Sequence, residues 1–192
     1  MTHRLNGQPI FAFESPAAFG AWLEANHDQL PGIWLKFGKG ARAGLLNYQR
    51  AVEVALCFGW IDGQARPGEG PDHWLQKFTP RRPQSRWSQV NRGRAEALIA
   101  SGRMRPAGLR EIERAKADGR WADAHASPSK ATVPDDLQAA LDSNPAARKF
   151  FATLKGGKRY AILYRIQDAK RPETRARRIE SFVAMLAAGK TI

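Results

Sequence analysis

The sequence is poor in the residues that build covalent or metal-held scaffolds. It has one cysteine, Cys57, among 192 residues, which excludes an internal disulfide framework and suits a reducing compartment. Four histidines, His3, His27, His73 and His125, are dispersed without metal-ligand spacing. No metal or organic cofactor is therefore expected. Long apolar runs are missing too: SFVAMLAAG is only about half a membrane span. The opening residues, MTHRLNGQPIFAFESP, carry no charged-then-apolar leader, so a cytoplasmic location is expected. Catalytic signatures are equally scarce. KGGKRY and GKGARAG hold glycine and lysine without phosphate-loop spacing, no strand–GxGxxG–helix unit occurs, and neither GxSxG nor HExxH appears. No repeat with a period of about 20 to 50 residues is visible.

Acidic residues are the other scarcity: 18 against 31 basic, a net charge of +13. A hydrophobic fraction of 43% is nonetheless ample for a folded core. The surplus is uneven. Residues 1–80 hold seven basic and seven acidic groups, whereas 81–120 hold eleven and four, and 148–180 hold eleven and three. Two such blocks favour anionic partners, polymeric or small, although a basic surface also serves solubility.

What is present reads as short elements with clear punctuation. Ser15-Pro16 opens a helix with Phe19, Trp22, Leu23 and Asn26 at helical spacing. Pro31-Gly32 stops it, and IWLKF, residues 33–37, fits a strand. Asn47 caps a second helix burying Ala51, Val52, Ala55 and Leu56 and closing at Gly59. WIDGQ and HWLQKF, separated by RPGEGPD, read as a hairpin. Ser85 or Ser88 caps a third helix with Val90, Leu98 and Ile99 inward, and Pro106 opens a fourth that Gly119 closes. AHASPSKATV reads as a linker. Beyond it the chain is expected to be helical, with starts at Pro134, Asn144-Pro145 and Pro172 and a last apolar stripe of Ile179, Phe182, Val183 and Leu186. The resulting expectation is an α+β domain over 1–123 with a small antiparallel sheet covered by helices, a linker over 124–133, and a helical domain over 134–192.

Three constellations carry chemistry. In FTPRRPQSRWSQVN, Pro80 and Pro83 hold the backbone extended ahead of a helix start, so Arg81, Arg82 and Arg86 sit beside unpaired helix N–H groups that attract anions. Ser85, Ser88 and Asn91 add donors, and Trp87 packs either as a wall of this site or in the core. In ALCFGWIDGQ, Asp62 stands among apolar residues including Trp60. It is read as paired with an arginine of the basic loop, as a desolvated general acid or base and so a candidate catalytic group, or as a simple Asp-Gly turn. Cys57 reads as a small buried thiol rather than a nucleophile. In AKRPETRARRIE, Arg175 lies four residues before Ile179 at the edge of the apolar stripe and can reach a pocket or a buried carboxylate, while Arg177 points away.

ALCFGWIDG, FTPRRPQSRWSQVN, GRMRPAGL with AKADGRW, and ETRARRIE together resemble the YdeI/OmpD-associated family, labelled bacteriocin-protection proteins, over nearly the whole chain. Trp60, Asp62, Gly63, Pro80, Arg81, Ser85, Trp87, Ser88, Asn91, Thr174, Arg175 and Arg178 stand where the family motifs stand. The resemblance implies a role in resistance to antibacterial peptides. At +13, direct capture of cationic peptides is electrostatically opposed. The expected ligand is therefore a small anion, phosphate, nucleotide or carboxylate, held by Trp60, Asp62, Arg81, Arg82, Ser85, Trp87, Ser88, Asn91 and Arg175. The alternatives are nucleic-acid binding through both basic blocks and docking of an acidic protein partner.

Overall fold

The structure is a computed structural model describing residues 3–39, 45–68, 70–128 and 130–192. Most of the GKGARAG stretch lies outside the described residues, as do Glu69 of RPGEGPD and Ser129 of AHASPSKATV. The chain divides into two units, Met1–Ala124 and His125–Ile192.

The first unit is α+β. Its strands β1 (Arg4–Leu5), β2 (Gln8–Phe11), β3 (Ile33–Gly38), β4 (Trp60–Pro67) and β5 (His73–Pro80) form one sheet in the order β1-β2-β3-β5-β4. The expected hairpin of WIDGQ and HWLQKF is the β4–β5 pair, with Trp60 opposite Pro80, Asp62 opposite Phe78 and an irregularity between Asp62 and Ala65. Gln76, buried on β5, donates through Nε2 to the Gly63 carbonyl at that irregularity, 2.7 Å away. One correction concerns the sheet, which is mixed and not wholly antiparallel: β2 and β3 run parallel, with Ile10 opposite Trp34. The crossover between them is α1 (Pro16–Asn26), and a parallel pair requires a connection of that length.

Strand alternation sends Ile33, Leu35 and Phe37 into a core shared with Phe19, Leu23, Phe78 and Trp60. The helices over this face start where their caps dictate. Ser15 Oγ accepts from Ala18 N at 3.1 Å to open α1, and Asn47 Oδ1 accepts from Gln49 N at 2.8 Å to open α2 (Tyr48–Cys57). Gly59 closes the turn after α2 at φ +72, and a Cβ there would stand 2.8 Å from Glu111 Cγ. Of the two candidate caps for α3 (Gln89–Ala100), Ser88 is the one used, its Oγ accepting from Asn91 N at 3.1 Å. Val90 and Ile99 do not point inward, being 45% and 40% exposed. The helix is turned by Ala95 and Leu98, which occupy its narrow buried stripe. α4 (Pro106–Ala117) follows, seated closely on α2.

The second unit is helical in its described residues: α5 (Asp135–Asp142), α6 (Pro145–Thr153), α7 (Gly156–Asp168) and α8 (Pro172–Ala187). Leu137, Leu141, Phe151, Ile162, Ile166, Ile179 and Leu186 form its core. Asn144 Oδ1 caps α6 by accepting from Ala147 N at 3.1 Å. No described helix in either unit is long and apolar enough to cross a membrane.

Candidate functional site

Arg81 is the unusual residue of the first unit, a charged side chain only 6% exposed. Pro80 ends β5 and Pro83 follows three residues on, so the backbone of the two residues between them stays extended. Arg81 N continues the sheet pairing by donating to the Gly59 carbonyl at 2.9 Å. That directs the side chain inward, where its guanidinium lies over the Trp87 ring, 3.6 Å from the centroid. Nη1 donates to the Arg86 carbonyl at 3.2 Å. Among the described residues Nε and Nη2 have no hydrogen-bond partner, nor has the buried Trp87 Nε1.

The electrostatics agree with this geometry. Burial pulls the Arg81 pKa down to about 10, against the opposing attraction of Glu111 and Asp62, while Arg120 adds to the lowering. The two carboxylates are thus near enough to be felt, yet neither forms an ion pair with Arg81 among the described residues. Asp62 is engaged elsewhere: Tyr48 Oη donates to its Oδ2 at 2.6 Å. Burial, then this bond, holds the Tyr48 hydroxyl protonated well above the ordinary tyrosine range. Where an arginine of the basic loop is one expected partner of Asp62, the bonded partner is Tyr48, at the start of α2, which packs on β4. Glu111 is bonded by Arg114 Nη2.

The remaining expected residues divide between support and surface. Trp60 is core, 1% exposed, with Nε1 donating to the His27 carbonyl at 2.9 Å. Trp87 is likewise core at 2% exposure and meets Trp121 edge-on at 4.8 Å. Ser85 Oγ closes the turn by accepting from Arg82 N at 2.9 Å, and Arg82 itself is exposed. Asn91 Oδ1 accepts from Arg94 Nη1 at 3.0 Å. Arg175 belongs to the second unit, where Nε and Nη2 grip Asp136 at 2.5 and 2.8 Å and Nη1 donates to the Ile166 carbonyl at 3.0 Å. Asp136 is held below the usual carboxylate range by that grip. The Cys57 thiol is buried and its pKa is pushed up by desolvation.

Four residues of this neighbourhood escape a reading of the sequence. Tyr48 and Glu111 carry no local signal, since NYQR and REIER look like ordinary solvated helix turns. Arg120 and Trp121 do carry one, in the AKADGRW motif. Arg120 Nη1 donates to the Ser85 carbonyl at 2.7 Å, which ties the proline-flanked turn to the end of α4.

Residues 11–111 match the family described as a domain of unknown function (DUF8412), and residues 130–189 match the family described as bacteriocin-protection, YdeI or OmpD-associated. The YdeI/OmpD-associated resemblance expected over nearly the whole chain is thus matched over the helical unit. No curated protein and no solved structure matches the chain.

Proposed function

The chain belongs to the DUF8412 family, whose model covers more than half its length, and matches the bacteriocin-protection, YdeI or OmpD-associated family over residues 130–189; on that premise we propose that it binds a small anionic ligand beside Arg81 and Trp87. The observation that carries this reading is the trio of buried donors, Arg81 Nε and Nη2 and Trp87 Nε1, around a charge with no ion-pair partner among the described residues. A buried donor left unmet costs about 1–3 kcal/mol, and more when it is charged. A phosphate or carboxylate oxygen would supply both the acceptors and the compensating charge. Exposed Arg82, with Ser85, Ser88 and Asn91 at the start of α3, provides an approach of the same sign. Arg175 is left out of this reading because its guanidinium is already committed to Asp136 and the Ile166 carbonyl. With a net charge of +13, the protection named in the family description is read as acting through an anionic metabolite and not through capture of a cationic peptide.

Thermal unfolding against a panel of inorganic phosphate, nucleotides and di- and tricarboxylates tests this. A ligand at a hundred times its Kd stabilises by about 2.7 kcal/mol, worth roughly 5–10 °C in a chain of this size. The shift should vanish in Arg81→Lys, which keeps the charge but not the fork, and fall in exposed Arg82→Ala. A flat response across the panel overturns the reading. Binding of mixed-sequence DNA or RNA with a steep salt slope, and of nothing smaller, would replace it.

A further inference from the structure

The face of the sheet opposite the shared core holds a second feature that the Arg81 site does not use. Cross-strand register places Lys36 of β3 opposite Leu75 of β5, and Leu75 opposite Arg66 of β4. The three side chains therefore form one row on one face, with an aliphatic group between two cations whose backbones are roughly 10 Å apart. Ile10 of β2 and Leu5 and Arg4 of β1 complete a groove of about 500 Å³ around this row. Its floor is aliphatic, its rim is basic, and no acidic side chain lines it among the described residues. Lys36 and Arg66 have no ion-pair partner there. Two like charges held across an apolar floor, without a counter-ion, repel each other and raise the cost of leaving the groove empty of negative charge.

We infer that this groove binds an amphipathic anion: one carboxylate or phosphate head on an apolar body, the head between Lys36 and Arg66 and the body over Leu75, Ile10 and Leu5. Its volume falls within the range of small-molecule pockets, and both halves of such a ligand find their complement. A simple anion would leave the aliphatic floor unused, and a neutral hydrocarbon would leave the cations unpaired.

Isothermal titration of the full chain with decanoate, acetate and decanol tests both requirements. Decanoate should bind one per chain, and acetate and decanol at least tenfold more weakly. Lys36→Gln and Arg66→Gln change half-buried or exposed side chains and should each weaken decanoate at least tenfold without altering the melting temperature. Ile10→Glu should abolish binding, whereas Arg81→Lys should leave it unchanged, which separates this site from the one beside Trp87. Equal affinity for acetate and decanoate, or full affinity in both glutamine variants, overturns the inference. Sedimentation with phosphatidylglycerol vesicles in the absence of decanoate binding also overturns it, since the basic rim would then serve a lipid surface and not a free ligand.

Discussion

Replacing Arg81 by methionine separates a binding role from a structural one. The guanidinium gains about 2 kcal/mol from its desolvated stack on Trp87 and about 2 kcal/mol from the charge-assisted bond to the Arg86 carbonyl. Against this stand two unmet N–H groups, roughly 4 kcal/mol together. The depressed pKa gives a second view of the same cost, roughly 3 kcal/mol for holding the charge in place. Gains and costs nearly cancel, and methionine fills most of the volume. Arg81→Met should therefore unfold within about 1 kcal/mol of the parent while losing all stabilisation by anions. Urea unfolding followed by tryptophan emission is well suited, because all six tryptophans lie in the first unit. The pH dependence has a defined sign. Arg81 is charged in both states below about pH 10, so the full cost applies there, and it is relieved as pH rises past that point; the methionine variant lacks this relief. A loss of about 3–5 kcal/mol would refute the reasoning, since that is the signature of a broken buried ion pair, and would make Glu111 and Asp62 its structural counter-ions.

Asp136→Asn removes the two-pronged grip of Arg175 on α5, and solvent screening limits the expected loss to about 1 kcal/mol. Because the folded-state pKa of Asp136 is depressed, this contribution is complete above the unfolded carboxylate pKa and is lost as pH falls through the folded one; acid titration of the full chain followed by the NMR signals of Tyr160 and Tyr164, which lie in the second unit, should show it in the parent alone. Tyr48→Phe should cost about 1–3 kcal/mol by stripping Asp62 of its donor, and should delete the late-titrating phenol from the alkaline absorbance curve. Gly108→Ala should lower thermal stability by several kcal/mol, because its Cβ would stand 2.5 Å from both the Cys57 carbonyl oxygen and Met104 Sδ, where α4 rests on α2.

Much of the fold is legible because its punctuation is local. Asn47, Ser88, Pro106, Asn144 and Pro172 announce their helices through caps and fixed φ angles, and those helices begin there. What escapes is set by partners far along the chain. QPIF is too short to show alternation, and its strand exists because β3 pairs with it across α1. α7 opens on two glycines, so a poor helix start hides a good helix. Val90 and Ile99 look apolar enough to bury, yet the rotation of α3 follows Ala95 and Leu98, which are its buried residues. In the candidate site, the paired prolines are visible in the sequence, but whether Trp87 stacks beneath Arg81 or lines a cleft depends on Trp121, 34 residues beyond Trp87.

Charge counting illustrates the same limit. Residues 81–120 carry eleven basic groups, but Arg92, Arg103, Arg105, Arg114, Lys116 and Arg120 are each drawn to a carboxylate, and Arg81 is buried. Such surface pairs add little stability, yet each one spreads its cation's field over a local dipole and weakens the long-range potential. The block is thus less of a basic face than its sequence suggests. Among the described residues, the cations left without carboxylates include Lys36 and Arg66, which come from a stretch of balanced charge. Where this chain meets negative charge is decided less by how many arginines it has than by which of them its sheet and its prolines deny a partner.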